Sequence, residues 1–304
     1  MISDIAEMRF VRVVAAPLAS LLLATACQPA AQSSPATGKA GSARASASPS
    51  LGPASNHVFV IVLENTSYRM ALRQPYIASL ATQYAVATNY GEVSSPSLPN
   101  YLAMTSGSTW GIRDDNFHKL PATGLGNQLS DAGITWKAYM EGFTGDCFSS
   151  PYPYALKHNP FAYYGGDCPA NVAPMTDLAS DLNGNTPQLS WITPGMCNDG
   201  HDCGVARADR WLSQTVPQIT SSTAWKQGGV LFITWDESGA ADGRVALLVV
   251  APKLRRQLTM PLNHYSLLAT IADRLQVPRL GLAKQATSLQ AQLEAAAAPS
   301  PSSG

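Results

Sequence analysis

Charge is scarce in this chain. Only 13% of its 304 residues are charged, and 20 basic side chains cancel 20 acidic ones. With no basic excess and no basic run, it lacks the electrostatic footprint of a nucleic-acid binder or a polybasic membrane patch. The apolar run Val13 to Ala24 is too short for a spanning helix, and it follows Arg9 and Arg12, the flanks of a leader. Histidine is sparse, with His57, His118, His158, His201 and His264 making five, and there are five cysteines. No internal repeat is visible, and no paired C-x-x-C pattern marks a zinc module.

What the N-terminus does contain reads as an address. The apolar run ends in Leu23-Ala24-Thr25-Ala26-Cys27, small residues directly before a cysteine. This resembles a bacterial lipoprotein signal over 1–27, with Cys27 lipidated and anchored to a membrane; an ordinary cleaved signal is the alternative, and both imply export. Residues 28–55 are Ala, Ser, Pro, Gly and Gln with hardly a large apolar side chain, so a flexible linker is expected. The expected catalytic domain is 56–284, one α/β domain of ordinary size. Residues 285–304 read as a low-complexity tail, although Leu289 and Leu293 could join a last fraying helix. Without Cys27, four cysteines remain, an even number that suits disulfides in an oxidising compartment. Local pairs Cys147–Cys168 and Cys197–Cys203 are expected; a zinc-binding cluster is the other reading.

The remainder alternates strands with helices. His57 to Leu63 is a continuous apolar, β-branched run, as for a parallel strand buried on both faces. Further strands are expected at Ile134–Tyr139, Gln188–Thr193, Gly229–Thr234 and Val245–Ala251. Helices are expected at Pro75–Tyr84, at Ala208–Ile219 with Pro217 ending it early, and at Asn263–Leu275. The alternation predicts a central, mostly parallel sheet flanked by helices.

Pro96-Ser97-Leu98-Pro99-Asn100-Tyr101 is the stretch around which the chemistry gathers. Pro99 suits a first helical turn, so Ser97 falls at a helix N-terminus, where free amides favour an anion. Taken alone, Ser97 is as readily a helix cap. Glu64-Asn65 and Asp236-Glu237, however, end two buried strands, the side on which open α/β sheets bind ligands. Carboxylates with an amide carbonyl make a hard oxygen shell suited to Ca²⁺, Mg²⁺ or Mn²⁺, and a carboxylate–histidine zinc site is the alternative. His158 and His201 lie on irregular segments, where histidine can serve as an acid, a phosphate donor or a ligand.

The ordered set Val62-Leu63-Glu64-Asn65, Ser97 to Ala103, Lys157 to Phe161, Asn198 to Asp202, Thr234 to Glu237 and His264-Tyr265-Ser266 resembles the bacterial phosphoesterase family of secreted acid phosphatases and phospholipases C, within the alkaline phosphatase-like superfamily. Within it, the size and the closing His-Tyr-Ser resemble the small secreted acid phosphatases of actinobacteria. The resemblance implies Ser97 as nucleophile and a divalent metal held by Glu64, Asn65, Asp236 and Glu237, with the Ser97 oxygen completing the shell. It further implies Asn100, His158 and His201 on the phosphate, with His201 protonating the leaving oxygen. Asp202 and His264 would support that shell or mark a second metal position. Many relatives carry a histidine just before the Pro-Ser of the nucleophile turn, where this chain has Ser95. Tyr152, Tyr154, Phe161, Tyr163 and Tyr164 would either line a hydrophobic mouth for a lipid or pack their loop.

The implied activity is an exported phosphomonoesterase acting through a phosphoserine, with phosphoinositides among the candidate substrates. A phospholipase C-type phosphodiesterase is the first alternative. A non-catalytic surface lipoprotein that binds phosphorylated ligands is the alternative from another class. No nucleic-acid partner is expected, and a monomer is the default.

Overall fold

The apolar run near residue 60 becomes the middle of the sheet. The computed structural model describes residues 56–298; the expected signal with Cys27, the linker 28–55 and the end of the tail lie outside the described residues. Among the described residues the strands are β1 (Val58–Leu63), β2 (Ala85–Ala87), β3 (Tyr90–Gly91), β4 (Trp136–Met140), β5 (Val172–Pro174), β6 (Leu189–Thr193), β7 (Val230–Trp235), β8 (Leu247–Val250), β9 (Gln257–Leu258) and β10 (Leu262–Asn263). The α-helices are α1 (Tyr68–Ala71), α2 (Pro75–Gln83), α3 (Ser97–Ser106), α4 (Leu125–Asp131), α5 (Leu178–Asn183), α6 (Val205–Ser221), α7 (Thr223–Lys226), α8 (His264–Leu275) and α9 (Gln290–Ala297).

Eight strands form one sheet in the order β5-β4-β6-β1-β7-β8-β2-β9. The five from β5 to β7 are parallel, while β8 runs antiparallel to both β7 and β2. Every side chain of β1, β6 and β7 is buried, as strands covered on both faces require. Leu63 pairs with Trp235, so the carboxyl ends of β1 and β7 finish level with each other.

Helix ends are set by contacts remote in sequence. Asp209 on α6 accepts the amides of Ile77 at 2.8 Å and Tyr76 at 3.3 Å, supplying the cap that Gln74 does not provide for α2. Gly107 ends α3 at φ 71°, and a Cβ there would meet the Leu280 carbonyl oxygen at 2.3 Å, so a side chain is excluded twice over. Pro217 was expected to stop α6, but the helix runs through it to Ser221. Leu212, Val216 and Ile219 are buried on both sides of the proline, and that packing offsets the lost backbone hydrogen bond.

The beginning of the tail joins the core. Leu289 and Leu293 are buried, and the Leu289 amide donates to Thr270 Oγ1 of α8 at 2.9 Å. The cysteines form the local pairs Cys147–Cys168 and Cys197–Cys203. Among the described residues, no helix is long and apolar enough to cross a membrane.

Candidate active site

Two carboxylates leave the sheet side by side. Glu64 follows β1 and Asp236 follows β7, and the Asp236 amide donates to the Leu63 carbonyl at 3.0 Å, continuing the ladder by one step. Both side chains are fully buried. Asn65, at φ 51°, donates its backbone amide to Asp236 Oδ1 at 3.1 Å. Ser97 opens α3 directly above this pair. Its hydroxyl donates to Glu64 Oε2 at 3.0 Å, and the Tyr101 hydroxyl, one turn along the helix, donates to Glu64 Oε1 at 2.6 Å. One helix therefore aims two hydroxyls at one carboxylate, following the i,i+4 geometry of a helix face.

A buried histidine ties a third acid to this group. His158 ends a short turn, Leu156–His158, and stacks on Tyr101 with ring centroids 5.3 Å apart. Its Nε2 is 3.2 Å from Glu64 Oε1 and its Nδ1 is 3.3 Å from Asp199 Oδ2, ion-pair distances without good hydrogen-bond alignment. Burial alone would lower the His158 pKa, but the two carboxylates outweigh it and raise it to about 10. Burial would likewise raise Glu64, yet the His158 charge and the His158 and Tyr101 hydrogen bonds bring it below its ordinary value. His158 is thus a buried cation bridging Glu64 and Asp199.

His201 occupies the rim. Its amide donates to Asp199 Oδ1 at 2.8 Å, its Nδ1 lies 2.8 Å from Asp202 Oδ1, and its Nε2 lies 3.3 Å from Lys157 Nζ. A lysine ammonium has no acceptor, so Nε2 accepts and Nδ1 carries the proton toward Asp202. Lys157 also pairs with Asp115 at 3.1 Å, and Asp115 Oδ1 accepts the Leu98 amide at 2.9 Å. Sequence reading singled out neither Asp115 nor the part played by Tyr101. The only trace of Tyr101 was its i+4 spacing from Ser97.

The residues expected from sequence divide into those the structure brings together and those it does not. Glu64, Ser97, Asp236 and His158 share one buried centre, and His201 stands 6.0 Å from His158, ring to ring. Asn100, expected on the phosphate, is instead committed to the chain. Its Oδ1 accepts the Val93 and Ser94 amides, both at 3.1 Å, and its Nδ2 donates to the Ser94 and Pro96 carbonyls at 2.8 and 3.3 Å. All four hydrogen-bonding positions of the amide are used, so Asn100 braces the turn before Ser97. His158 is buried, with its two ring nitrogens toward Glu64 and Asp199. Asn65 exposes its side chain and reaches Asp236 only through its backbone. Glu237 is half-buried; burial raises its pKa, against the Ser95 hydroxyl beside it and with the charges of Glu64 and Glu92.

The remaining expected residues also find places. His264 is buried, with Nε2 2.6 Å from the Asp236 carbonyl and Nδ1 2.9 Å from the Tyr90 hydroxyl. Both ring nitrogens are engaged away from any ligand position, so it props the end of β7. His57 bonds Pro187 at the amino end of the sheet, and His118 pairs with Asp114. Of the five mouth aromatics, Tyr154, Phe161, Tyr163 and Tyr164 are buried packing and only Tyr152, at 65% exposure, faces solvent.

Whether these residues suit a cation can be judged from Asp236. Its Oδ2 is buried with no hydrogen-bond partner. Desolvation, then the charge of Glu64, pushes its pKa far above the carboxylate range. A hard divalent cation between Glu64 and Asp236 would answer that oxygen and remove the repulsion. Among the described residues no three His, Cys, Asp or Glu side chains already close on one point. The set that fits is accordingly two carboxylates with the Ser97 hydroxyl.

Comparison with known proteins agrees with this architecture. Residues 68–278 match the phosphoesterase family. A probable acid phosphatase of Kluyveromyces lactis is 31% identical over 254 residues, covering 76% of this chain and 60% of the relative. A phosphatidylinositol-3-phosphatase of Mycobacterium tuberculosis is 28% identical, covering 77% of this chain and 81% of the relative. The chain thus spans about 60% of the length of the fungal relatives it matches. Among solved structures, a lipoteichoic acid synthase of Listeria monocytogenes superposes with a TM-score of 0.55 at 10% identity, covering 77% of this chain and 76% of that one. An alkaline phosphatase superfamily protein of Vibrio parahaemolyticus gives 0.53 at 10% identity, covering 73% and 66%. These likenesses show the alkaline phosphatase-like fold, and the match over 68–278 shows that the chain belongs to the phosphoesterase family.

Proposed function

We propose that the protein is an exported phosphomonoesterase that acts through a phosphoserine on Ser97. The observation that carries this reading is the Ser97 hydroxyl, buried and donating to Glu64 Oε2 at 3.0 Å beside the unanswered Oδ2 of Asp236. Fungal relatives named acid phosphatase and a mycobacterial relative named phosphatidylinositol-3-phosphatase support a phosphate ester as substrate, a phosphoinositide among the candidates. Two disulfides favour an oxidising compartment, and Cys27 is the residue that would carry a lipid anchor.

A divalent cation held by Glu64 and Asp236, with Asn65 and Glu237 flanking, would neutralise phosphoryl charge and lower the pKa of the Ser97 hydroxyl. In the first step Ser97 Oγ attacks phosphorus and its proton passes to Glu64 Oε2, while the bond to the leaving oxygen breaks. His201, held at Nδ1 by Asp202, takes a proton at Nε2 from Lys157 Nζ and passes it to that oxygen. Water then attacks the phosphoserine and gives a proton back through His201 Nε2 to Lys157, the Oγ–P bond breaks, and the proton held on Glu64 returns to Ser97. His158 keeps Glu64 ionised between turnovers, and Asn100 fixes the turn that presents the nucleophile.

The test is to offer the purified protein a phosphatidylinositol phosphate, phosphatidylcholine and a small aryl phosphate, with and without chelator. Release of inorganic phosphate, lost with chelator, is the expected result. Phosphocholine release instead would mark a phosphodiesterase of the phospholipase C type, and neither product would mark a binding protein.

A further inference from the structure

The amide of Leu98, second residue of the helix that begins with Ser97, is already taken by an anion of the chain itself. It donates to Asp115 Oδ1 at 2.9 Å, while Asp115 Oδ2 is 3.1 Å from Lys157 Nζ. Lys157 is in turn 3.3 Å from His201 Nε2. An amide at a helix start and an ammonium are donors that hold phosphate oxygens elsewhere. Beside Ser97 lies the Asp236 carboxylate, whose Oδ2 is buried and partnerless. Near the head of α3 one carboxylate oxygen thus lacks a partner, while the Asp115 carboxylate accepts from both the Leu98 amide and Lys157.

We propose that Asp115 stands in for a phosphate oxygen, and that a substrate must displace it from the Leu98 amide and from Lys157. The exchange selects for charge, and the inference rests on the phosphatase reading above. A phosphomonoester dianion brings two negative charges to donors that Asp115 satisfied with one. A diester monoanion exchanges like for like and gains nothing at Lys157. The pair Asp115–Lys157 is then a specificity determinant favouring monoesters over diesters. The occupied form also lowers apparent affinity by the fraction of molecules in which Asp115 has swung away.

The experiment compares wild type with Asp115→Ala, Asp115→Asn and Lys157→Met. Inorganic phosphate binding is read by calorimetry, and kcat/KM is measured on nitrophenyl phosphate and bis-nitrophenyl phosphate. Asp115→Ala should bind phosphate about tenfold more tightly, as expected when an open form populated at roughly a tenth becomes the only form. Asp115→Asn keeps an acceptor for the Leu98 amide and should move the same way by less, so the result does not depend on the alanine variant folding. Lys157→Met should bind phosphate more weakly and lose more on the monoester than on the diester. Phosphate affinity unchanged or weakened in both Asp115 variants would overturn the proposal, as would equal losses on both esters in Lys157→Met. Failure of the phosphatase reading looks different: the wild type would release nitrophenol from neither ester, while calorimetry would still report on Asp115.

Discussion

The Ser97 hydroxyl and Glu64 Oε2 lie 3.0 Å apart, although 33 positions separate them in the chain. That contact exists because β1 ends at Leu63 and α3 begins at Ser97, so a strand end and a helix start meet over the sheet. Replacing Ser97 by Ala removes the proposed nucleophile and one of two hydroxyls on Glu64, leaving Tyr101 on the other oxygen. Phosphate release from an aryl phosphate should fall by about a thousandfold or more, the scale on which loss of a nucleophile is felt. Circular dichroism should be unchanged. A variant that retains the wild-type rate would remove Ser97 from the chemistry.

Asp236 and Glu64 make opposite demands on the fold and on the site. Without a cation, two buried carboxylates repel, and Asp236 is driven toward its protonated form. Asp236→Asn keeps an acceptor for the Asn65 amide and discards the charge. The chelated variant should therefore be more stable than the chelated wild type, by about 1–3 kcal/mol in urea unfolding. Adding Mg²⁺, Mn²⁺ or Ca²⁺ should raise the melting temperature of the wild type and leave that of the variant in place. Equal shifts in both would place the cation elsewhere.

Parts of this site were legible in the sequence for a simple reason. Buried parallel strands are continuous apolar runs, so the points where Val58–Leu63 and Val230–Trp235 stop are marked by their first charged residues. Glu64 and Asp236 are those residues, and Pro96-Ser97 announces the helix start between them. What could not be read is what depends on distant partners. Asn100, which the resemblance places on the phosphate, makes four bonds to residues 93–96 that are set by a turn whose shape no pattern specifies. Nothing in the sequence sets Asp115 apart, since its partners Leu98 and Lys157 are 17 and 42 positions away. Pro217 looked like a stop because local propensity does not see the buried face that carries α6 past it.

Asn100 should behave as a positioning residue. Asn100→Ala strips the Val93 and Ser94 amides and the Ser94 and Pro96 carbonyls of a side-chain partner that is itself fully buried. Stability should fall by roughly 2–3 kcal/mol, the cost of leaving such groups unanswered. Because the same turn presents Ser97, kcat should fall while KM for a small aryl phosphate stays within about twofold. A phosphate ligand would show the reverse split, with KM rising first.

The capping of α2 by Asp209 gives a stability prediction away from the site. Asp209→Ala leaves the Tyr76 and Ile77 amides at a helix start without an acceptor. Gln74, at the N-cap position, makes no side-chain bond that could substitute. A loss of about 1–2 kcal/mol in denaturant unfolding is expected, with kcat/KM unchanged. Asp209→Asn should recover most of it, since a carboxamide oxygen still accepts.

Asp273 near the end of α8 and Arg279 beyond it form a two-pronged pair, Nε to Oδ1 at 2.8 Å and Nη2 to Oδ2 at 2.6 Å. The Arg279 hydrogen bonds hold the Asp273 pKa below its ordinary value, against partial desolvation. A carboxylate with a lower pKa folded than unfolded binds more protons when unfolded, so stability rises with pH across that interval. Its contribution should be complete above the unfolded value, near 3.9, and vanish as pH falls through the folded one. The pair is partly exposed, so solvent screening limits it to about 1 kcal/mol, which salt should reduce further. Urea unfolding of wild type and Asp273→Asn should therefore differ at pH 7 and converge as pH falls through the folded value. A difference that persists at acid pH would assign the effect to packing at the α8 terminus rather than to the ion pair.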